Sequence, residues 1–294
     1  MKRDLVVDDC RHIVFAKETQ LKLLAESKTW YMDGTFKSMR KPFEMLFTIH
    51  VFVRRSTNTK QAIRSLLEVN AVQQIVIDFE AAIWKACREV FPGVRMKGCA
   101  FHWGQAVFRH VQSLGLTTEY MSETGTYAFI RQMLCLPLLP AEHIRPTFDM
   151  MSGLNTAPHI TPLLEYMSNT WINSTVSPVE SWSVYGQTVR TNNDVEGWHR
   201  RLNRRTGCAP PLYTLIRTIH KEVMEVENMI ALVNEQQLQR IQRKASQSIQ
   251  AKLFAAREEY RAGTLSTSDL LKRCSTFYRP VLPKRPEEVE MNEL

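Results

Sequence analysis

Three carboxylates hold positions where acidic side chains could do chemistry. Asp33 ends the aromatic and apolar run Thr29-Trp30-Tyr31-Met32, Asp78 ends Ile75-Val76-Ile77, and Glu196 opens the segment VEGWHRRLNRR. Two-metal phosphoryl transfer needs such groups: they hold a pair of divalent ions, one activating the nucleophile and one stabilising the leaving oxygen. Carboxylate oxygens suit Mg²⁺, which keeps several waters and also takes substrate phosphates. The plainer alternative is solvated surface acid, because a chain with 30 acidic residues offers many such triples.

Two further groupings lie close by. Cys99-x-x-His102 has the spacing of half a zinc site, and Glu196 and His199 share a helix face at i, i+3. Cys99, His102 and His199 could therefore converge. No second Cys-x-x-Cys or Cys-x-x-His is near, so a complete zinc site is not evident; a buried cysteine beside a hydrogen-bonded histidine is the simpler account. Arg200, Arg201, Arg204 and Arg205 follow Glu196. Beside a metal-carboxylate site they would bind DNA backbone phosphates; without one they are a solvated helix face. Trp198 reads as a packing residue.

The elements that must position these groups are legible in part. Residues 74–103 read as strand, helix, strand: an apolar run ending at Asp78, an amphipathic stretch stopped by Phe91-Pro92-Gly93, and a second short run from Val94 to Cys99. A crossover helix between strands implies that the strands are parallel. In open sheets of this kind, ligands bind at the carboxyl ends of the strands, where Asp78 stands. Asp33-Gly34 is also a turn dipeptide, but residues 43–53 (FEMLFTIHVFV) form a β-prone segment at hairpin distance, which puts Asp33 at a strand end before the connection.

Elsewhere the pattern is helical. Residues 1–28 read as a helical N-terminal segment, 54–60 as a loop, 62–67 as a short helix and 105–114 as a helix. Residues 117–190 form an all-α insertion whose pieces are divided by Pro137, Pro140, Pro146, Pro158 and Pro162, with a loop from 177 to 190. Thr191-Asn192-Asn193-Asp194 supplies helix-starting chemistry for the segment 191–210 that carries Glu196. Residues 211–280 are a helical C-terminal region, and 281–294, rich in Pro and Glu, read as a disordered tail.

Bulk properties narrow the class. The 294 residues are 44% hydrophobic and 23% charged, with a formal charge of +8, an excess that suits a polyanionic partner such as nucleic acid. The six cysteines form no paired framework, which favours a reducing compartment. No apolar run approaches the roughly 18 residues of a membrane helix, and the first residues are too charged for a signal peptide. A soluble intracellular α/β protein is expected.

Together these stretches resemble the Mutator-like (MULE) transposases, in the animal-type branch often found as domesticated or relic copies. The matching segments are YMDGTFK (31–37), LFTIHVFV (46–53), IVIDFEAAIWKACREVFPG (75–93), KGCAFHWGQAVFRHVQSLGL (97–116), TWINS (170–174) and RTNNDVEGWHRRLNRR (190–205). The resemblance covers most of residues 29–280. It implies an RNase H-like catalytic core, begun by residues 29–116 and interrupted by the helical insertion before the last acidic residue. It assigns Asp33, Asp78 and Glu196 as the catalytic DDE carboxylates holding two Mg²⁺ (or Mn²⁺) ions. It gives Cys99, His102 and His199 an accessory place in the C/H motif, with zinc not expected. The implied reaction is hydrolytic nicking at transposon ends, then strand transfer to target DNA by the freed 3′-hydroxyl. A nuclear location follows from that substrate, and transposases commonly act as homodimers or larger assemblies.

One departure from the family pattern has structural consequences. Relatives carry a third strand and most of a first helix between the second strand and the strand of the second Asp; here residues 53–75 leave room for a loop and a short helix. In the sheet order 3-2-1-4-5 the missing strand is an edge strand, so its loss would expose the edge formed by residues 43–53 and weaken the core. The chain also shows no N-terminal zinc-finger module for recognising DNA ends. A catalytically silent, transposase-derived DNA-binding or scaffold protein is therefore the competing expectation.

Overall fold

The structure, a computed structural model, describes residues 2–7, 10–35, 39–43, 45–51, 71–121, 125–154, 157–187, 193–207, 210–234 and 244–278. It is α/β and divides into two compact units. The first comprises residues 1–77, 88–97 and 193–240; the second comprises 78–87, 98–192 and 241–294. The loop and helix expected at 54–67 and the tail at 281–294 lie outside the described residues.

The first unit is built on a four-stranded sheet. Its strands are β3 (Thr29–Thr35), β4 (Leu46–His50), β5 (Gln74–Ile77) and β6 (Arg95–Gly98), in the order β4-β3-β5-β6. β3 and β4 are antiparallel, with Asp33 opposite Thr48; β3 and β5 are parallel, with Tyr31 opposite Val76. The sheet is thus mixed. Burial follows strand position: Ile75, Val76 and Ile77 of the interior strand β5 are all buried, as a strand covered on both faces requires. In β4, at the edge, Phe47 and Ile49 are exposed while Leu46, Thr48 and His50 are half-buried, the period-2 signature of one covered face.

The chain enters this sheet differently from the expectation of a helical start. Lys2–Val7 (β1) and Cys10–Phe15 (β2) form an antiparallel hairpin, and only Glu18–Glu26 (α1) is helical. The reason is local: Val6, Val7, Ile13 and Val14 are β-branched, stiff at χ1, and suit a pleated ribbon better than a helix. An Asp4–Arg11 ion pair at 2.7 Å spans the hairpin. Trp30 then ties β3 to α1, its indole N–H donating to the Leu24 carbonyl at 2.8 Å while its ring meets Phe91 edge-on at 5.4 Å.

Helix α2 (Ala81–Val90) closes as its Pro-Gly punctuation predicts. The Val94 N–H returns to the Phe91 carbonyl at 3.2 Å with Pro92 and Gly93 between them. Gly93 has φ +83°, the value that the third position of a type II turn demands and that a side chain would resist. Among the described residues the first unit also holds helices α9 (Asn193–Thr206) and α10 (Leu212–Asn234).

The second unit is helical. Helix α3 (Ala100–Ser113) starts five residues before the expected 105, so Phe101, His102 and Trp103 are already helical. It is followed by α4 (Thr117–Met121), α5 (Gly125–Cys135), α6 (Ala141–Leu154), α7 (Thr161–Tyr166), a π-helical turn Met167–Ile172 and α8 (Val179–Trp182), the last inside the stretch expected to be loop. Helices α11 (Lys244–Arg261) and α12 (Thr267–Phe277) complete it. Pro137, Pro158 and Pro162 sit at helix starts, where a missing N–H costs nothing. Pro146 departs from that rule: it lies within α6, and burial of Ile144, Thr147, Phe148 and Met151 holds the helix around it.

The boundary expected at residue 116 is not where the units part. Trp103, Trp171 and Trp182 lie in the core of the second unit, Trp103 stacking on Trp182 at 5.2 Å and lying 5.7 Å from Trp171, and Phe79 meets Trp171 edge-on at 4.8 Å. Each such indole carries a hydrophobic gain of about 2–3 kcal/mol. That pull gathers 78–87 and 98–116 with the helical insertion. The C-terminal helices are likewise divided, α10 in the first unit and α11 and α12 in the second.

Candidate functional site

The first unit assembles a polar cluster where β3, β4 and α9 meet. β3 carries Asp33 inside the strand, two residues short of its end, so Asp33-Gly34 is strand rather than turn. The Asp33 side chain is only 6% exposed. Its Oδ1 accepts the Gly34 N–H at 3.0 Å, and its Oδ2 lies 3.3 Å from Nε2 of His199, an equally buried group on α9. A buried carboxylate needs such partners, since an ionised one without them would carry a large desolvation penalty.

Thr48 is the hub of the cluster. Its hydroxyl donates to the Asp33 main-chain carbonyl at 3.2 Å and lies 3.2 Å from His199 Nε2 and 2.9 Å from His50 Nε2. Thr48 and His50 reach the same face because strand neighbours two apart share a side. The His50 ring packs edge-on against Trp198 at 5.1 Å and lies 6.1 Å from the His199 ring. Burial, with a smaller contribution from the neighbouring His199, pushes the His50 pKa down to about 4, so at neutral pH its imidazole is uncharged. Trp198 is thus a packing residue, as its place in the sequence suggested.

Asp78 directly follows β5; both Asp33 and Asp78 come two residues after the parallel pair Tyr31–Val76. The Asp78 Oδ1 accepts the Glu80 N–H at 3.3 Å, and its carbonyl accepts the Trp84 indole N–H at 2.6 Å. Glu196 is in α9, one turn before His199; its side chain is outside the described ones. Cys99, fully buried, is the N-cap residue of α3, and His102 lies in the first turn of that helix, both in the second unit, whereas His199 belongs to the first. Among the described residues no group of three or more His, Cys, Asp or Glu side chains is arranged to hold a metal ion.

The four arginines divide into two pairs. Arg201 donates to Glu222 on α10 at 2.8 Å, and Arg205 binds both Glu222 and, at 3.1 Å, Glu225. Arg200 and Arg204 are exposed. Sequence reasoning missed Thr48, His50 and Glu222. The alternation in Leu46-Phe47-Thr48-Ile49-His50 was the available signal for the first two; nothing local marked Glu222 among so many acids. No helix among the described residues is long and apolar enough to cross a membrane. No family model, no curated protein and no solved structure matches this chain.

Proposed function

We propose that the protein is a metal-dependent DNA nuclease and strand transferase of the MULE transposase type, with an RNase H-like core. The observation that carries this reading is the contact of His199 with Asp33, since it fixes the helix bearing Glu196 against the strand bearing the first carboxylate. Strand order supports it as well: β4-β3-β5-β6 is what an order 3-2-1-4-5 leaves when its third strand is removed.

The donor chemistry fits a hard divalent cation, because Asp33 and Asp78 offer carboxylate oxygens, each two residues beyond the paired Tyr31 and Val76 of the parallel strands β3 and β5. The reading assigns two Mg²⁺ or Mn²⁺ ions to Asp33, Asp78 and Glu196. When bound they would activate the attacking oxygen and stabilise the departing one. The chain's own contribution is to hold the Asp33 carboxylate rigid through Gly34 and His199. Arg200 and Arg204, exposed one and two turns after Glu196, would bind DNA backbone phosphates. A nuclear location and a dimeric synaptic assembly belong to the same proposal.

The test is a thermal-shift titration with Mn²⁺ and Mg²⁺, followed by a nicking assay on supercoiled DNA. A cation at about 100 times its dissociation constant adds roughly 2.7 kcal/mol to the native state. The wild-type chain is expected to show that rise and to nick, and both effects should vanish in Asp33→Asn and Glu196→Gln while DNA affinity survives. A folded protein that binds DNA but shows neither effect sinks the reading and leaves a silent DNA-binding protein of transposase descent.

A further inference from the structure

We propose that Thr48 is a positioning residue whose hydroxyl fixes both His50 and His199 as Nε2–H tautomers, so that the His199 proton is held on Oδ2 of Asp33. A threonine hydroxyl has one proton to give and two lone pairs to receive with. The Asp33 main-chain oxygen, 3.2 Å from Thr48 Oγ1, can only accept, so the hydroxyl proton goes there. The two imidazole nitrogens that also reach Oγ1, His50 Nε2 at 2.9 Å and His199 Nε2 at 3.2 Å, must then donate to its lone pairs. The hydroxyl is thereby fully used.

The consequence falls on Asp33. With its proton on Nε2, His199 points one N–H into the space between Thr48 Oγ1 and Asp33 Oδ2, which lies 3.3 Å from the nitrogen. The carboxylate is held by a donor whose tautomer was chosen two residues along the neighbouring strand from His50. The opposite tautomer would set a nitrogen lone pair against carboxylate oxygen, a repulsion that the 6% exposure of Asp33 leaves water little room to relieve. Histidines beside metal-binding carboxylates commonly have their tautomer set by such an outer partner. The tautomer assignment stands on geometry alone; its effect on cation binding rests on the function proposed above.

The test uses the full chain labelled with ¹⁵N-histidine, at about pH 8, where ordinary imidazoles are neutral. Long-range ¹H–¹⁵N spectra distinguish a protonated Nε2 from a protonated Nδ1, with His50→Gln and His199→Gln supplying the assignments. The expected result is a protonated Nε2 on both residues, kept in Thr48→Ser, which retains the hydroxyl, and lost to tautomer mixing in Thr48→Val, which retains the shape. A protonated Nδ1 on either histidine of the wild type overturns the proposal, as does a Thr48→Val spectrum unchanged from wild type. If Thr48→Val does not fold, the wild-type spectrum decides. A second measurement follows Mn²⁺ binding by its electron paramagnetic resonance signal. The dissociation constant should rise about tenfold in Thr48→Val and stay put in Thr48→Ser. Equal affinity in all three removes the positioning role. The expected tautomers with no Mn²⁺ binding in any variant would uphold the assignment and reject the nuclease reading instead.

Discussion

Glu222 of α10 is buried to 2% exposure, and Arg201 of α9 donates to its carboxylate at 2.8 Å. Arg205 grips the same group, so two of the four arginines behind Glu196 hold one helix of the first unit against another. Under the proposed function the charge in this segment has two roles, which mutation should separate. Arg200→Gln and Arg204→Gln are expected to weaken the proposed DNA binding evenly across sequences. Each should also reduce the slope of log affinity against log salt by about 0.9, the share of one phosphate contact. Arg201→Gln and Glu222→Gln should instead lower the urea midpoint. Fluorescence anisotropy over a salt series, beside urea melts, checks both; equal salt slopes in all four variants would contradict the division.

The His50 imidazole makes stability depend on pH. Its pKa falls from about 6.5 in the unfolded chain to about 4 in the fold, so between those values the unfolded state binds the extra proton. Stabilisation is then complete above pH 6.5 and is lost as pH falls toward 4. The loss should amount to about 3 kcal/mol over that window. Urea melts at intervals across it, wild type against His50→Gln, should show a difference that shrinks as pH falls. A difference that stays constant would place His50 in solvent.

Gly98 closes β6 in a place that admits no side chain. A Cβ there would lie 2.1 Å from the Phe79 ring, and that ring is itself held by Trp84 at 6.1 Å and Trp171 at 4.8 Å. Gly98→Ala should therefore destabilise the fold by about 1–3 kcal/mol, the usual penalty for overpacking. Gly34 provides the control: its Cβ would meet the flexible Met45 side chain, which can turn aside, so Gly34→Ala should cost less. Thermal melts of the two variants rank them.

The edge strand β4 leaves Phe47 38% and Ile49 42% exposed on one face. Apolar edges invite pairing with other chains. Ile49→Lys is expected to suppress light scattering at high protein concentration while changing stability by no more than about 1 kcal/mol. If aggregation is unchanged, the edge is not the sticky surface.

The strongest local signals carried over from sequence to structure. Ile75-Val76-Ile77 became an interior strand because a continuous β-branched run needs cover on both faces. Phe91-Pro92-Gly93 became a turn because proline and glycine each supply the φ that the turn requires. The hairpin at 2–15 was missed because apolar residues in short segments fit helical and strand spacing alike, and β-branching had to arbitrate.

What the sequence determined by itself was the strand–helix–strand order around Asp78, most of the helices, and the acidic and imidazole groups these elements carry, since periodicity, branching and turn chemistry act between near neighbours. Only the tertiary structure decided which of those groups meet. Asp33, Thr48, His50 and His199 come together because β4 pairs with β3 and α9 packs on that strand, contacts between segments far apart in the chain. The burial of Glu222 beneath two arginines is of the same kind. No local pattern encodes such meetings: the free energy that selects them is the burial of distant surfaces against each other, and it exists only once the chain has folded.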